Sequence, residues 1–282
     1  MPTLIIHGGA GRIRDKKGQV DVSNSLSNIA QDIWTQIVAG CSAVDAAVAA
    51  ARMLENDPLF NAGVGSKLQS DGAARLSAAL MNGHTERFSG VINVEGLLNP
   101  IELCRLLQDE RDRVLSGEGA LRRARALGLA EGNVKTELAL STWRSAISGE
   151  TGTIGAVVLD NQGRIAAATS TGGRGMEGVG RVSDSATVAG NFASAHAGVS
   201  CTGIGEDIVD GALAARLVSA VDSGIELEAA STSLKQKMMS REWRAGLIAV
   251  DAGGKWSTLH TTDILYWHAV DGTGHHQFDM VL

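Results

Sequence analysis

Two apolar runs in the middle of the chain predict a pair of adjacent, buried strands. The first run extends from Thr153 to Leu159 and the second from Arg164 to Ser170, and the turn residues Asn161-Gln162-Gly163 separate them. Short runs that are rich in β-branched and small apolar residues and that end at turn residues are typical of buried strands. In such a pair, the threonine that opens the first strand lies beside Thr171, which follows the second.

Thr153 also follows a glycine, and cleavage of the Gly152–Thr153 bond would give this threonine a free α-amine. The hydroxyl nucleophile and its general base would then belong to one residue, as in N-terminal threonine catalysis. A threonine at a strand entrance is also a common structural residue. The catalytic interpretation therefore depends on what the rest of the chain supplies.

The other periodic segments fall into blocks of helices and blocks of strands. Helical spacing covers 23–54 (broken near Gly40), 100–148 (interrupted at 116–119 and 132–133), 206–222 and 226–239. Strand-like runs cover 3–6, 75–81, 88–94, 187–195, 198–201, 247–250 and 255–259, and the runs 75–81 and 88–94 are expected to pair as a hairpin around Asn82-Gly83. Residues 7–11 predict a glycine turn, 12–22 a polar loop, and the segment with His275 and His276 a solvated tail. Helical blocks flanked by strands favour an α+β fold in which one sheet packs on another.

Composition and charge exclude several functional classes. The net charge is −6 and no basic, aromatic-interleaved stripe is present, which argues against nucleic acid as a partner. No apolar stretch approaches the roughly 20 residues of a membrane-spanning helix, and the N-terminus does not resemble a signal peptide. Three widely spaced cysteines without a CxxC pair indicate reduced thiols, so we expect a cytoplasmic protein. Because the chain lacks a long apolar stretch, we expect no membrane partner.

Two later loops carry groups that match an amino-acid substrate. Arg181 and Asp184 place a cation and an anion three residues apart, which suits a carboxylate and an ammonium group. Thr202 and Gly203 offer a hydroxyl and a backbone N–H that could form an oxyanion hole. Plainer alternatives remain open, since Arg181 and Asp184 could form a surface ion pair and Thr202 could cap a helix.

With these residues together, the chain resembles the plant-type L-asparaginase/isoaspartyl peptidase family of N-terminal nucleophile hydrolases. The resemblance covers most of the length, in blocks that keep the family's order: His7-Gly8-Gly9-Ala10-Gly11, Pro58-Leu59-Phe60-Asn61-Ala62-Gly63, Asn99-Pro100, Gly117-Glu118-Gly119-Ala120, Gly152-Thr153-Ile154-Gly155-Ala156-Val157, Thr169-Ser170-Thr171-Gly172-Gly173, Gly180-Arg181-Val182, Asp184-Ser185 and Ser200-Cys201-Thr202-Gly203. It implies one Ntn-hydrolase domain over 1–282, built as a four-layer αββα sandwich. It also implies self-cleavage into an α subunit (1–152) and a β subunit (153–282), which assemble as (αβ)₂.

The resemblance also implies a role for individual residues. Thr153 would attack the side-chain carbonyl of a β-aspartyl dipeptide or, as a secondary substrate, of L-asparagine. Thr171 would steady its hydroxyl, and Asn61 would lie near the scissile bond after Gly152. The oxyanion would be held by Thr202 and Gly203, and the substrate's α-carboxylate and α-amine by Arg181, Asp184 and Gly205.

No cofactor is implied for catalysis, but the family carries a structural sodium loop. Its ligands are mostly backbone carbonyls, a donor set that suits a hard cation. The matching positions are Leu54, Glu55, Asp57, Phe60, Ala62 and Val64. Without the ion, the same residues are an ordinary exit from a helix.

Departures from the family pattern leave the substrate open. Ser77 and Asn82 stand where the family tends to carry aspartates, and Trp243 and Arg244 precede an altered strand entry, which makes them candidates for contacting the leaving residue. The linker before Gly152 is short, because the helical pattern extends to about Ser148. Two alternative functions remain: a glycosylasparaginase-like hydrolase, and an uncleaved, inactive homologue that acts as a binding protein.

Overall fold

The computed structural model describes residues 1–145 and 152–281, which form helices and strands as follows. The helices are α1 (Lys16–Val38), α2 (Ala43–Glu55), α3 (Pro100–Leu107), α4 (Gly117–Ala126), α5 (Glu137–Arg144), α6 (Gly205–Gly211), α7 (Leu213–Asp222) and α8 (Leu227–Ser240). The strands are β1 (Thr3–Gly11), β2 (Leu76–Asn82), β3 (Arg87–Val94), β4 (Val114–Ser116), β5 (Ile154–Leu159), β6 (Ile165–Thr171), β7 (Asn191–Ala193), β8 (Ala197–Gly203), β9 (Ala245–Asp251), β10 (Trp256–His260), β11 (Ile264–Asp271) and β12 (Gly274–Gln277).

The strands form two sheets that pack face to face. The larger sheet has the order β12-β11-β1-β5-β6-β2-β3-β4, and the smaller has the order β10-β9-β8-β7. A buried apolar layer that includes Ile5, Val157 and Ile248 joins the two sheets. Because α1 to α4 contribute to the core on the other face of the larger sheet and α6 to α8 to that of the smaller one, the α+β sandwich is confirmed.

The two apolar runs form the antiparallel pair β5 and β6, with Gly155 opposite Thr169. This pair lies in the middle of the larger sheet, where β1 pairs with β5 and β2 pairs with β6. The flanking strands come from the first half of the chain, so residues that are far apart in sequence enclose the start of β5. The predicted hairpin of β2 and β3 is also present.

Several predicted boundaries are wrong, each for an identifiable reason. Residues 7–11 continue β1 rather than forming a turn, with a bulge between His7 and Gly9 in its pairing with β11. Helix α1 begins inside the predicted loop, because Asp15 caps it by accepting a hydrogen bond from Gly18 N–H. Gly117, predicted to interrupt a helix, begins α4, and the predicted strand over 187–195 is limited to β7.

The last part of the chain also differs from the prediction. Strands β11 and β12 follow the segment where the sheet pattern was expected to end, and β11 is the partner of β1. His275 and His276 therefore belong to an edge strand rather than to a solvated tail. No helix within residues 1–145 and 152–281 is long and apolar enough to span a bilayer.

Candidate active site

The start of β5 and the end of β6 bring two threonine hydroxyls together. Thr153 Oγ1 donates to Thr171 Oγ1 at 3.2 Å, and both residues are buried. Thr171 Oγ1 also accepts a hydrogen bond from Gly173 N–H at 3.1 Å. The hydroxyl of Thr153 is therefore held in one orientation by a residue that is itself fixed by the next loop.

A buried polar network links this strand pair to the second sheet. His7 Nε2 lies 2.8 Å from Ser200 Oγ, which lies 2.7 Å from Thr169 Oγ1. These side chains meet over Gly155, where a Cβ would lie 1.9 Å from Ser200 Oγ. Burial lowers the pKa of His7 to about 3, so the imidazole is neutral near pH 7 and acts as a hydrogen-bonding group rather than a cation.

Arg181 and Asp184 both approach the same point, the first residue of α6. A Cβ on Gly205 would lie 2.6 Å from Arg181 Nη2 and 2.9 Å from Asp184 Oδ1, so this approach requires a glycine. Burial raises the pKa of Asp184 to about 7, although the positive charge of Arg181 opposes the shift. Asp184 Oδ2 is buried and has no partner among the described residues, so this carboxylate is available to a donor group from a ligand.

The ion pair of Arg181 is with a residue that the sequence did not single out. Its Nε and Nη2 donate to the two carboxylate oxygens of Glu206 at 2.8 and 3.0 Å. Burial alone would lower the pKa of Arg181, but these hydrogen bonds raise it overall. Asn93, also missed, donates from Nδ2 to the Arg181 carbonyl at 2.8 Å and from its own N–H to Ser77 Oγ at 3.0 Å. Ser77, one of the departures from the family pattern, thus helps to hold the loop that carries Arg181.

Thr202 and Gly203 lie at the end of β8. Thr202 Oγ1 accepts a hydrogen bond from Ala10 N–H at 3.2 Å, which leaves the hydroxyl proton for another acceptor. The alternative that Thr202 caps the next helix is wrong, because Ile204 occupies the N-cap position of α6. Gly203 has φ +132°, and a Cβ there would lie 2.6 Å from the Arg244 carbonyl oxygen.

These elements enclose a small cavity with a volume of about 10 Å³. Its walls are formed by Gly152, Thr153, Thr171, Gly173, Arg174, Arg181, Ser183, Asp184, Gly203 and Gly205. Such a volume holds about one water molecule. Gly152 also lines a neighbouring cavity of about 430 Å³, on the side of Tyr266 and Trp143.

Gly152 itself is closely surrounded. A Cβ on Gly9 of β1 would lie 3.0 Å from Gly152 Cα, and a Cβ on Gly152 would lie 3.2 Å from Asn61 Cβ. Asn61 Nδ2 donates to the Gly173 carbonyl at 2.6 Å, and Asn61 Oδ1 accepts from Lys67 N–H at 2.9 Å. Asn61 therefore lies against the residue before Thr153 and also fixes the loop after Thr171. The short predicted linker falls partly on residues 146–151, outside the described residues.

Trp243 and Arg244, the candidates for contacting a leaving residue, do not line the small cavity. Trp243 packs against the apolar core between the smaller sheet and its helices. Arg244 Nη2 lies 3.5 Å from Asp263 Oδ1 at the surface. Arg174 and Ser183 line the cavity instead. The only sequence signal for Arg174 was its position directly after the block Thr169–Gly173.

The loop over 54–64 folds back tightly on itself. A Cβ on Gly63 would lie 2.1 Å from the Glu55 carbonyl oxygen, and one on Gly65 would lie 1.9 Å from the Phe60 carbonyl oxygen. The Glu55 side chain turns away and accepts from Ser170 Oγ at 2.6 Å, and burial raises its pKa to about 8. Backbone oxygens packed around small residues fit a hard cation. Among the residues described, no cluster of His, Cys, Asp and Glu side chains suits a metal ion.

Comparisons with known proteins agree on one family. A family model described as "Asparaginase" matches residues 1–150 and 144–280. The chain is 44% identical to an isoaspartyl peptidase/L-asparaginase of Synechocystis sp., over 90% of this chain and 83% of that protein. It is 42% identical to a protein of the same name from Nostoc sp., over 96% of this chain and 92% of that protein. It is also 35% identical to a plant-type L-asparaginase of Pyrococcus horikoshii, over 96% of this chain and 97% of that protein.

Proposed function

Because the chain belongs to the asparaginase family of hydrolases, we propose that it cleaves its own Gly152–Thr153 bond and then hydrolyses β-aspartyl dipeptides, with L-asparagine as a secondary substrate. The observation that carries the proposal is the contact of 3.2 Å between the hydroxyls of Thr153 and Thr171 in a cavity that Arg181 and Asp184 also line. A nucleophile thereby lies next to groups that match both charges of an amino acid.

Self-cleavage would begin with attack of Thr153 Oγ1 on the carbonyl carbon of Gly152. The C–N bond breaks as the nitrogen takes a proton, and the Gly152 acyl group moves to the oxygen as an ester. Water then hydrolyses this ester, which releases the Gly152 carboxylate and leaves Thr153 with a free α-amine. Asn61 lies against Gly152 and supports the residue that must move.

In the cleaved protein, the α-amine of Thr153 would serve as the general base for its own hydroxyl. The reference pKa of an α-amine is roughly 7.7–8.0, so it accepts a proton near neutral pH without a large shift. Thr153 Oγ1 attacks the side-chain carbonyl of the substrate, and the amine returns the proton to the leaving nitrogen. Water then attacks the acyl-enzyme ester, and L-aspartate is released.

The other residues of the site would stabilise charge. The Thr202 hydroxyl and the Gly203 N–H would donate to the developing oxyanion, where one lost donor typically costs ~10²-fold in rate. Arg181 takes the α-carboxylate alongside Glu206, and Asp184 Oδ2, which has no partner among the described residues, accepts from the α-ammonium group. The ammonium group would favour the ionised form of Asp184, opposing the effect of burial.

We also propose a sodium ion in the loop over 54–64, held by backbone carbonyls of Leu54, Glu55, Asp57, Phe60, Ala62 and Val64. The tight packing of carbonyl oxygens against Gly63 and Gly65 supports it. The ion would stabilise the loop that carries Asn61 and would take no part in the reaction. Assembly as (αβ)₂ is likewise a proposal, and its mass in solution tests it.

The test compares wild-type protein with Thr153→Ala. Mass spectrometry of denatured wild type is expected to give two fragments, the second beginning at Thr153, while the variant stays intact. The cleaved protein should release aspartate from β-aspartyl dipeptides. An intact, inactive wild type would contradict the proposal and favour the binding-protein alternative. Activity on glycosylated asparagine alone would favour the glycosylasparaginase alternative.

A further inference from the structure

Arg174 is an exposed cation at the edge of the cavity that contains Thr153. Its backbone is anchored by hydrogen bonds of the residues on both sides. The preceding residue, Gly173, donates its N–H to Thr171 Oγ1 at 3.1 Å and accepts from Asn61 Nδ2 at 2.6 Å. Two residues further on, Met176 N–H donates to the Leu68 carbonyl at 2.8 Å. The backbone that carries Arg174 is therefore anchored next to Thr171, the residue that holds the Thr153 hydroxyl.

The two arginines of the cavity differ in their partners. Arg181 is paired with both carboxylate oxygens of Glu206. Arg174 has no ion pair among the described residues, yet its charge reaches Glu206 and helps to lower the pKa of that carboxylate, after the larger effect of Arg181. The cavity thus combines one guanidinium that is held in place by a carboxylate of the protein with one that has no ion pair among the described residues.

The proposed substrates differ in their number of carboxylates. The aspartyl part of both substrates has one α-carboxylate and one α-ammonium group, which Arg181 and Asp184 accommodate. A β-aspartyl dipeptide has a second carboxylate, at the C-terminus of the leaving residue, and asparagine has none there. We infer that Arg174 binds this second carboxylate, an inference that rests on the proposed function. Arg174 would then make the site selective for β-aspartyl dipeptides with a free C-terminus over asparagine.

The contact between Arg174 and the C-terminal carboxylate would be the same in the bound substrate and in the transition state, because this carboxylate does not take part in the chemistry. Loss of the arginine should therefore raise KM and leave kcat nearly unchanged. An arginine pairs with a carboxylate through two parallel hydrogen bonds, and lysine keeps only the charge. Since the residue is exposed, the effect should also weaken as salt concentration rises.

The experiment measures three substrates on cleaved wild type, Arg174→Gln and Arg174→Lys: β-aspartyl-leucine, its C-terminal amide and L-asparagine. Arg174→Gln is expected to lower kcat/KM for the dipeptide about tenfold or more, through KM, as for a lost hydrogen bond to a charged group. The amide and asparagine should be unaffected, and Arg174→Lys should retain part of the dipeptide activity. Arg241→Gln, on an exposed arginine at the end of α8, is the matched control and should change none of the values.

Other outcomes separate the two proposals. Equal losses on dipeptide and asparagine would mean that Arg174 serves the aspartyl part or the loop, and would overturn the inference. An unchanged KM for the dipeptide would also overturn it. Both results leave the proposed function intact, whereas a wild type that cleaves none of the three substrates would overturn the proposed function as well.

Discussion

The approach of Arg181 and Asp184 to each other depends on the first residue of α6, where a side chain would meet both of them. We predict that Gly205→Ala raises KM for asparagine by about tenfold or more. The added methyl carbon would lie 2.6 Å from Arg181 Nη2 and 2.9 Å from Asp184 Oδ1, so both side chains would have to move. Self-cleavage should be unchanged, since Gly205 does not contact Gly152. Steady-state kinetics on the cleaved variant checks this.

A glycine with free space around it provides the control. Gly119 lies in α4, and nothing lies within 4 Å of a Cβ placed there. Gly119→Ala should leave the kinetics unchanged and stabilise the helix slightly, since alanine is the better helix former. If Gly205→Ala behaves like Gly119→Ala, the two charged groups do not depend on this contact.

The buried carboxyl of Asp184 makes stability depend on pH. Its pKa is raised to about 7 in the folded protein from 3.8. The stabilisation by the protonated form is therefore complete below about pH 4 and is lost as the pH rises to about 7. We predict that Asp184→Asn, in a Thr153→Ala background, gains stability relative to its parent across this range, on the order of 3 kcal/mol. Urea unfolding at pH 4.5 and 7.5 measures the change.

Glu206 offers the opposite sign as a control. Hydrogen bonds from Arg181 lower its pKa, so its contribution is present above the unfolded pKa and is lost on acidification. Glu206→Gln should therefore lose stability relative to the parent as the pH rises. A constant difference between Asp184→Asn and its parent at both pH values would contradict the prediction for Asp184.

At the scale of single residues, the sequence singles out candidate site residues more readily than the hydrogen-bond partners of those residues. Thr153, Arg181 and Asp184 stand out because their types and local spacing match a chemistry. Glu206 and Asn93 do not, since their contacts with Arg181 bridge 25 and 88 residues. No local pattern signals a contact of that kind.

At the scale of elements, the sequence predicted one helix over 206–222, and the structure contains two. The break is at Ala212, which has φ 46° and ψ 45° and so lies in the left-handed region. Because alanine is the best helix former, propensity gives no sign of a break there. The bend lets the Ala214 N–H donate to the Ala189 carbonyl at 2.8 Å, so tertiary contacts override the local preference.

Ala212 should carry a strain that glycine would relieve. The left-handed conformation costs an L-residue roughly 1–2 kcal/mol. We predict that Ala212→Gly raises the free energy of unfolding by about 1 kcal/mol, measured by chemical denaturation. The same exchange at Ala220, within α7, should lower it by about 1 kcal/mol. Destabilisation by Ala212→Gly would mean that the bend is held without strain.

Strand β11 shows why another element was missed. Its sequence, Ile264 to Asp271, includes the buried His268 and two aromatic residues, and burial lowers the pKa of that histidine to about 4. The uncharged ring fits a sheet next to His275, which it meets at 3.0 Å. A polar residue type thus conceals a buried position, because only the folded environment decides whether it is charged.

At the scale of the whole molecule, the blocks of helices and strands were enough to predict two packed sheets. The order of the strands was not predictable, because β1 lies between β5 and β11 through pairings across most of the chain. The helical layers keep to the halves of the chain: α1 to α4 cover the larger sheet and α6 to α8 the smaller one. Only the larger sheet mixes the two halves.

If the Gly152–Thr153 bond is cut as proposed, that mixing would change the molecularity of unfolding. Strand β1, from the first fragment, would stay between β5 and β11, both from the second, so neither fragment would hold the complete larger sheet. Loss of structure would then also be a dissociation, governed by mass action. Each tenfold dilution of the cleaved protein should lower its apparent stability by about 1.4 kcal/mol per separating pair. In uncleaved Thr153→Ala the two halves stay covalently joined, so its midpoint should depend less on dilution than that of the cleaved protein.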